Sequence, residues 1–343
     1  MRGNRARVAK NIDAGGKNIG EIEQLVSSGK LHHVGSKIQD GQGETLLLVK
    51  GDKYFFPARS GDNHLEIEYI PREKRTPQVM EEMQNGDKTA IAFLCSRGVR
   101  KSANPFLPNP PSHAWLSLYS LEHEDARDFH FYSAPNIAVN EKCNGNINPK
   151  ASFGLLLTHL FNSQPAKTIG EPCERGTIQA AIGFPLTKQQ ELMIDIDDKL
   201  NHLRDMQYRL FKPSFVHDKP LPLNEKNQFN CVKYSNHLLQ NVGISSSQML
   251  GNASTGISHA RPIGISDKAE QIFDDNPDLF VDCGDKIMMR ELPNGTIILH
   301  MQTPQPDVTE KLFPRVANKW QELVEQQASN GQAQQLTTSS ARR

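Results

Sequence analysis

One helix is marked in the sequence more clearly than any other element, and it constrains how the rest of the chain can be arranged. Thr187 and Gln190 stand three residues apart, the spacing of a capping box, in which each side chain accepts a hydrogen bond from the other residue's backbone N–H. Behind this cap, apolar side chains recur in steps of three and four residues, namely Met193, Ile196, Leu200 and Leu203. Because such a stripe must be buried, the segments around the helix have to supply a packed layer.

A second helix is predicted to begin at Cys231. Its pattern steps by four, three and four residues through Cys231, Ser235, Leu238 and Val242, and Gly243 favours a stop after the last of these. The thiol of Cys231 therefore lies in the first turn of a helix.

Residues 112–133 predict a β-hairpin. The first strand alternates, so that one side carries His113, Trp115, Ser117 and Tyr119, and the other carries Ala114, Leu116, Leu118 and Ser120. A charged turn follows, and the second strand has the sequence FHFYSAP. Further strands are predicted within 44–58, 88–95 and 286–301, and a final amphipathic helix follows them, so the fold class is α+β.

Balanced charge excludes the simplest argument for a nucleic-acid binder. Lys and Arg number 39, and Asp and Glu also number 39. No apolar run approaches the ~20 residues of a membrane-spanning helix, and the first residues lack the apolar stretch of a Sec signal peptide. Five cysteines form no C-x-x-C pair, so reduced thiols, without zinc or another cofactor, are the expectation.

Cys231 is the strongest candidate for chemistry. The N-terminus of a helix offers unpaired N–H groups and a positive dipole end, both of which favour a thiolate and can hold an oxyanion. A thiolate nucleophile also needs a group that returns a proton to the leaving group, and a histidine suits that task near neutral pH. His113, at the start of the alternating strand, is the chosen base.

The order of the motifs resembles a known enzyme family. The motifs are S-H-A-W-L-S-L at 112–118, D-F-H-F-Y-S at 128–133, L-T-K-Q-Q-E at 186–191 and N-C-V-K-Y-S-N-H-L-L-Q-N-V-G at 230–243. This order resembles the circularly permuted papain-like cysteine enzymes, which include the NlpC-like amidases. In that family a strand carrying histidine comes first, and the nucleophilic cysteine comes last at a helix N-terminus.

The resemblance implies Cys231 as the nucleophile and His113 as the base. His130, on the second strand of the hairpin, is the positional candidate for the third catalytic group, with Asp128 as the alternative. Asn230 either adds its amide to the oxyanion site or caps the helix.

The sequence also divides the chain into five parts. Four prolines within residues 102–112 place a boundary near residue 110, because proline continues neither a ladder nor a helix. The predicted parts are a disordered tail at 1–17, a mixed α/β region at 18–110, a papain-like catalytic core at 111–250, an accessory hairpin and helix at 251–326, and a disordered tail at 327–343.

These observations predict a thiol-dependent hydrolase or acyl-transfer enzyme acting on an amide bond. A protein or peptide, including a protein of a host cell, is the expected substrate, and nucleic acid and a membrane span are not expected. The expected location is the cytoplasm, or a host cell reached without a Sec signal, as for bacterial effectors of this family. Two alternatives stay open: a non-catalytic papain-like interaction module, and an acyltransferase or transglutaminase that uses the same two residues.

Overall fold

A computed structural model describes most of the chain, and it contains both helices and strands, as predicted. The described residues are 20–58, 66–97, 113–133, 164–169, 177–204, 206–208, 227–244, 262–306 and 309–340. The α-helices in these ranges are α1 Glu21–Ser27, α2 Pro77–Gln84, α3 Lys188–His202, α4 Cys231–Asn241, α5 Pro262–Asp275 and α6 Thr309–Ser340. The fold class is α+β, as predicted.

Fifteen strands are formed within the described residues. They are β1 Leu31–Val34, β2 Lys37–Asp40, β3 Thr45–Lys50, β4 Lys53–Phe55, β5 Glu68–Tyr69, β6 Lys88–Arg97, β7 His113–Ser120, β8 Ala126–Ser133, β9 Gln164–Ile169, β10 Thr177–Thr187, β11 Met206–Tyr208, β12 Asn227–Phe229, β13 Val281–Asp282, β14 Ile287–Glu291 and β15 Ile297–Pro306. Strands β1 to β5 form a small antiparallel sheet in chain order.

The other ten strands form one large sheet, in the order β12-β11-β9-β8-β7-β6-β10-β15-β14-β13. Its pairs are antiparallel except for β11 with β12. Strand β6 comes from the predicted N-terminal region, and β13 to β15 come from the predicted C-terminal accessory part, yet all of them join the sheet that contains β7 and β10. The boundaries expected near residues 110 and 250 therefore do not separate independent sheets.

Each face of the large sheet is covered by helices. Helices α3, α4 and α5 pack on one face, here called the three-helix face, and α6 packs on the other, here called the α6 face. The alternation predicted for β7 is confirmed, because Ala114, Leu116 and Leu118 join the core on the three-helix face, whereas Trp115 and Tyr119 join the core on the α6 face.

The predicted helix starts are also confirmed. Thr187 and Gln190 form the full capping box at the start of α3. Helix α4 begins at Cys231, and its cap is Asn230. Local cap chemistry marks both of these starts in the sequence.

The C-terminal tail departs from the expectation. Helix α6 continues through Ser340, whereas the composition of 327–343 predicts disorder. The Ala and Gln residues of this stretch have good helix propensity, so a helix anchored by its packed first half extends into it. The predicted tail at 1–17 and the proline-rich residues 102–112 lie outside the described residues.

A buried ionic cluster joins the N-terminal region to α3 and α4. Asp197 of α3 accepts two hydrogen bonds from Arg75, at 2.5 and 2.8 Å, and one from the Tyr69 hydroxyl at 3.0 Å. Arg72 donates to the backbone carbonyl of Asp197 at 3.0 Å, and Arg75 also donates to the carbonyl of Asn241, the last residue of α4, at 3.0 Å. The cluster therefore holds three segments at one point.

The charges in this cluster are compensated. Burial alone raises the pKa of Asp197, but the positive charges of Arg72 and Arg75 and the hydrogen bonds from Arg75 and Tyr69 outweigh burial, so the pKa lies well below its usual range. Removing the carboxylate charge leaves Arg72 paired with Glu21 but leaves the buried guanidinium of Arg75 without the carboxylate it binds, which is costly.

We expect Asp197→Asn to lower the free energy of unfolding by about 3–5 kcal/mol at neutral pH, the usual cost of breaking a buried ion pair. Urea unfolding followed by circular dichroism measures this change. Asp285→Asn is the matched control, because it removes an exposed ion pair with Arg315 and should cost less than about 1 kcal/mol.

The difference in unfolding free energy between wild type and Asp197→Asn depends on pH in a defined way. A carboxyl whose pKa is lowered by folding stabilises the protein above about pH 4, its unfolded pKa, and this contribution is lost as the pH falls towards the folded value. The difference between wild type and Asp197→Asn should therefore narrow below about pH 4. A difference that stays constant or widens in acid contradicts the account of this cluster.

Candidate active site

The strand register shows which elements meet at one edge of the large sheet. Strand β7 begins at His113, and β8 runs back beside it to end at Ser133. Ser133 pairs with Ala166 of β9, and Gln164 of β9 pairs with Tyr208, the last residue of β11. Strand β12 runs parallel to β11 and so ends at the same edge.

Helix α4 begins at this edge, because it starts two residues after β12 ends. The edge of the large sheet at which both β7 and α4 start is here called the Cys231 edge. Topology thus places the predicted nucleophile and His113 at the same end of the sheet, although 118 positions of sequence (231 − 113) separate them.

The start of α4 is held by its cap and by its packing. The side-chain oxygen of Asn230 accepts a hydrogen bond from the backbone N–H of Lys233 at 2.9 Å. Tyr234 in the same helix stacks on Phe131 of β8, with ring centroids 4.5 Å apart. Of the two tasks open for Asn230, the structure shows helix capping.

Cys231 itself is buried. Only 4% of the residue is exposed, and its side chain belongs to the core on the three-helix face. The helix N-terminus favours the thiolate, whereas the apolar surroundings favour the neutral thiol.

Lys233, which the sequence does not single out, lies in the first turn of α4. Burial lowers the pKa of Lys233 to about 8. Lys233 is two positions after Cys231, a spacing at which side chains on a helix do not face each other. No sequence pattern distinguishes this lysine from the other lysines of the chain.

The two predicted histidines are in contact. Nε2 of His113 lies 3.1 Å from Nδ1 of His130, and the planes of the two rings differ by 13°. The contact is an N–H···N hydrogen bond, in which one imidazole donates and the other accepts. His130 is thus the candidate third group that the structure brings to His113, and Asp128 accepts a hydrogen bond from Ser117.

The alternation of β7 decides which way these imidazoles point. The indole of Trp115 belongs to the core on the α6 face, and it lies nearly parallel to both imidazoles, with centroid distances of 5.9 Å to His113 and 5.2 Å to His130. Both imidazoles therefore lie on the α6 face. Cys231 belongs to the core on the three-helix face.

A cavity of about 510 Å³ lies elsewhere in the molecule. Its lining includes Leu279, Arg290, Pro293 and Gly295, around the turn between β14 and β15. Strand β15 begins beside Gly183 and ends beside Thr177 at the start of β10, so this turn is at the edge opposite to the Cys231 edge. The cavity is not part of the candidate site.

The next observations concern metal ligands, membrane-spanning helices and similarity to known proteins. No group of three or more His, Cys, Asp or Glu side chains in the described ranges is arranged to hold a metal ion. Within the described part of the chain, no helix combines the length and the apolar character needed to cross a membrane. No family model, curated protein or solved structure matches the chain.

We expect iodoacetamide at pH 8 to alkylate Cys231 at least about tenfold faster than Cys283, since a helix N-terminus favours the thiolate. Cys283 is a matched internal reference, because its exposure is 7% against 4% for Cys231, and burial raises its pKa to about 11. Peptide mass spectrometry of the native protein measures both rates in one sample. Equal rates, or faster reaction at Cys283, would contradict thiolate stabilisation at the start of α4.

Proposed function

We propose that the chain is a thiol-dependent enzyme that acts on an amide bond, with Cys231 as its nucleophile and His113 as its proton carrier. One observation supports this proposal above all others: the strand register brings the N-terminus of α4 and the hydrogen-bonded imidazoles to the same edge of the large sheet. The motif order of the permuted papain-like enzymes agrees with this placement.

The proposed reaction has two stages. The thiolate of Cys231 attacks the substrate carbonyl carbon, and backbone N–H groups in the first turn of α4 stabilise the oxyanion. His113, which has accepted the proton of the Cys231 thiol, gives that proton to the leaving amine as the carbon–nitrogen bond breaks, and a thioester remains on Cys231. Water then releases the acid, which is hydrolysis or deamidation, or a second amine takes the acyl group, which is transfer.

The contact with His130 defines which nitrogen of His113 does this work. Nε2 of His113 is engaged by His130, so proton exchange with the substrate uses Nδ1. The hydrogen bond to His130 also holds the His113 ring in place, as the third member of a catalytic triad does.

The positions of the two groups restrict how a substrate binds. Because β7 separates the two faces, a substrate that meets both groups must lie across the Cys231 edge, with its carbonyl at α4 and its leaving group towards His113. An extended protein or peptide segment suits such an edge. The proposed substrate is therefore a protein or peptide, in the cytoplasm or, for a bacterial effector, in a host cell.

A second candidate function is a papain-like interaction module without catalysis. Two observations favour it: Cys231 is almost fully buried, and the imidazoles lie on the opposite face of the sheet. Buried cysteines are usually inert.

The two candidates differ in what Cys231→Ala does. If the chain is an enzyme, wild type incubated with candidate proteins should produce cleavage, deamidation or an added acyl group, and Cys231→Ala should abolish that product because no thioester forms. Intact-protein mass spectrometry distinguishes the three products.

Cys283→Ala is the control, since it removes a buried thiol on the α6 face and should leave the product yield unchanged. A product that persists in Cys231→Ala contradicts the proposed enzyme. Full binding of a partner by wild type and Cys231→Ala alike, with no product from either, establishes the interaction module in its place.

A further inference from the structure

Behind the two imidazoles, a short chain of hydrogen bonds crosses from β7 to β8 on the α6 face. Nε1 of Trp115 donates to Oγ of Ser117 at 3.0 Å, and the Ser117 hydroxyl donates to Oδ1 of Asp128. Ser117 and Asp128 are direct partners in the strand register. The three side chains are therefore held by the sheet in a fixed relation.

The direction of every bond in this chain is determined by chemistry. An indole N–H can only donate, and an ionised carboxylate can only accept. The single hydroxyl proton of Ser117 is thus committed to Asp128, and an oxygen lone pair is committed to Trp115. Ser117 is fully buried, so exchange of these partners for bulk water would require the sheet to open.

The chain of bonds ends at the ring that flanks both imidazoles. The indole plane differs by 12° from the plane of His113 and by 23° from that of His130. The bond to Ser117 prevents rotation of the indole, and near-parallel packing transmits this orientation to both imidazoles. The N–H···N bond of 3.1 Å needs a hydrogen on one of the two facing nitrogens and a lone pair on the other, so the tautomers of the two rings are complementary.

We propose that Asp128 and Ser117 are positioning residues, which act through Trp115 to hold the hydrogen-bonded His113–His130 pair in one orientation and one set of tautomers. This inference rests on the proposed function for its catalytic meaning, since His113 is the proton carrier there. Its structural content concerns the imidazoles alone. In this arrangement Asp128 serves the site without contacting the substrate.

Two substitutions of equal shape test the proposal. Ser117→Thr keeps a hydroxyl, and Ser117→Val replaces it with a methyl group, so both add similar bulk to the buried site. In ¹⁵N-labelled full-length protein, the imidazole ¹⁵N shifts of His113 and His130 report the tautomers, and the indole N–H of Trp115 reports the bond to Ser117. The chain has only two tryptophans, so Trp320→Phe assigns the indole signals.

We expect wild type and Ser117→Thr to show one fixed tautomer for each imidazole. Ser117→Val should show averaged imidazole shifts, and hydrogen exchange of the Trp115 indole should be about five- to tenfold faster, the effect of one lost hydrogen bond. Imidazole shifts in Ser117→Val equal to those of Ser117→Thr would overturn the proposal.

A second pair covers the case in which Ser117→Val does not fold. Asp128 is only partly buried. Asp128→Asn keeps an acceptor oxygen and should preserve the tautomers, whereas Asp128→Ala should average them. Equal shifts in this pair would likewise overturn the proposal.

These readouts are independent of thiol chemistry. An unreactive Cys231 in wild type would end the proposed function while the imidazole shifts still decided the positioning proposal. Conversely, unchanged shifts in both substitution pairs would end the positioning proposal and leave the proposed enzyme standing.

Discussion

The buried carboxylate of Asp197 fixes the position of α4, on which the candidate site depends. Arg75 binds this carboxylate with two hydrogen bonds and also reaches the carbonyl of Asn241 at the end of α4. An 11-residue helix is about 16 Å long, so anchoring its C-terminus helps to determine where its N-terminus, with Cys231, meets the sheet. Charge compensation in the core is thereby linked to the geometry at the Cys231 edge.

Local chemistry allowed much of the fold to be predicted from the sequence. Capping residues at Thr187 and Asn230 mark helix starts, and strict alternation marks β7, because these patterns depend on neighbours within a few residues. Long-range pairing leaves no such mark. Nothing in the sequence indicates that β6 pairs with β10 and that β15 pairs with β10 from the other side, so the predicted boundaries fell within one sheet.

The candidate site, like the fold, could be predicted from the sequence only in part. Motif order indicated Cys231, His113 and His130, and the structure places all three at or beside one edge, with the two histidines in contact. The face on which each side chain lies depends on which of the two alternating sets of β7 residues packs into which core. Trp115 packs into the core on the α6 face, and the two imidazoles lie beside it on that face. Motif order carries no information about faces, so the sequence alone could not assign the imidazoles to the α6 face.

The central claim is that the Cys231 thiol and the His113 imidazole act together across one edge of the sheet. Its most direct measurement is the rate of Cys231 alkylation at pH 7 in wild type, His113→Ala and His123→Ala, where His123 is an exposed histidine in the turn between β7 and β8. The account predicts a loss of about tenfold in His113→Ala, because the imidazole that assists the thiol is removed, and no change in His123→Ala. Equal rates in all three proteins would contradict it.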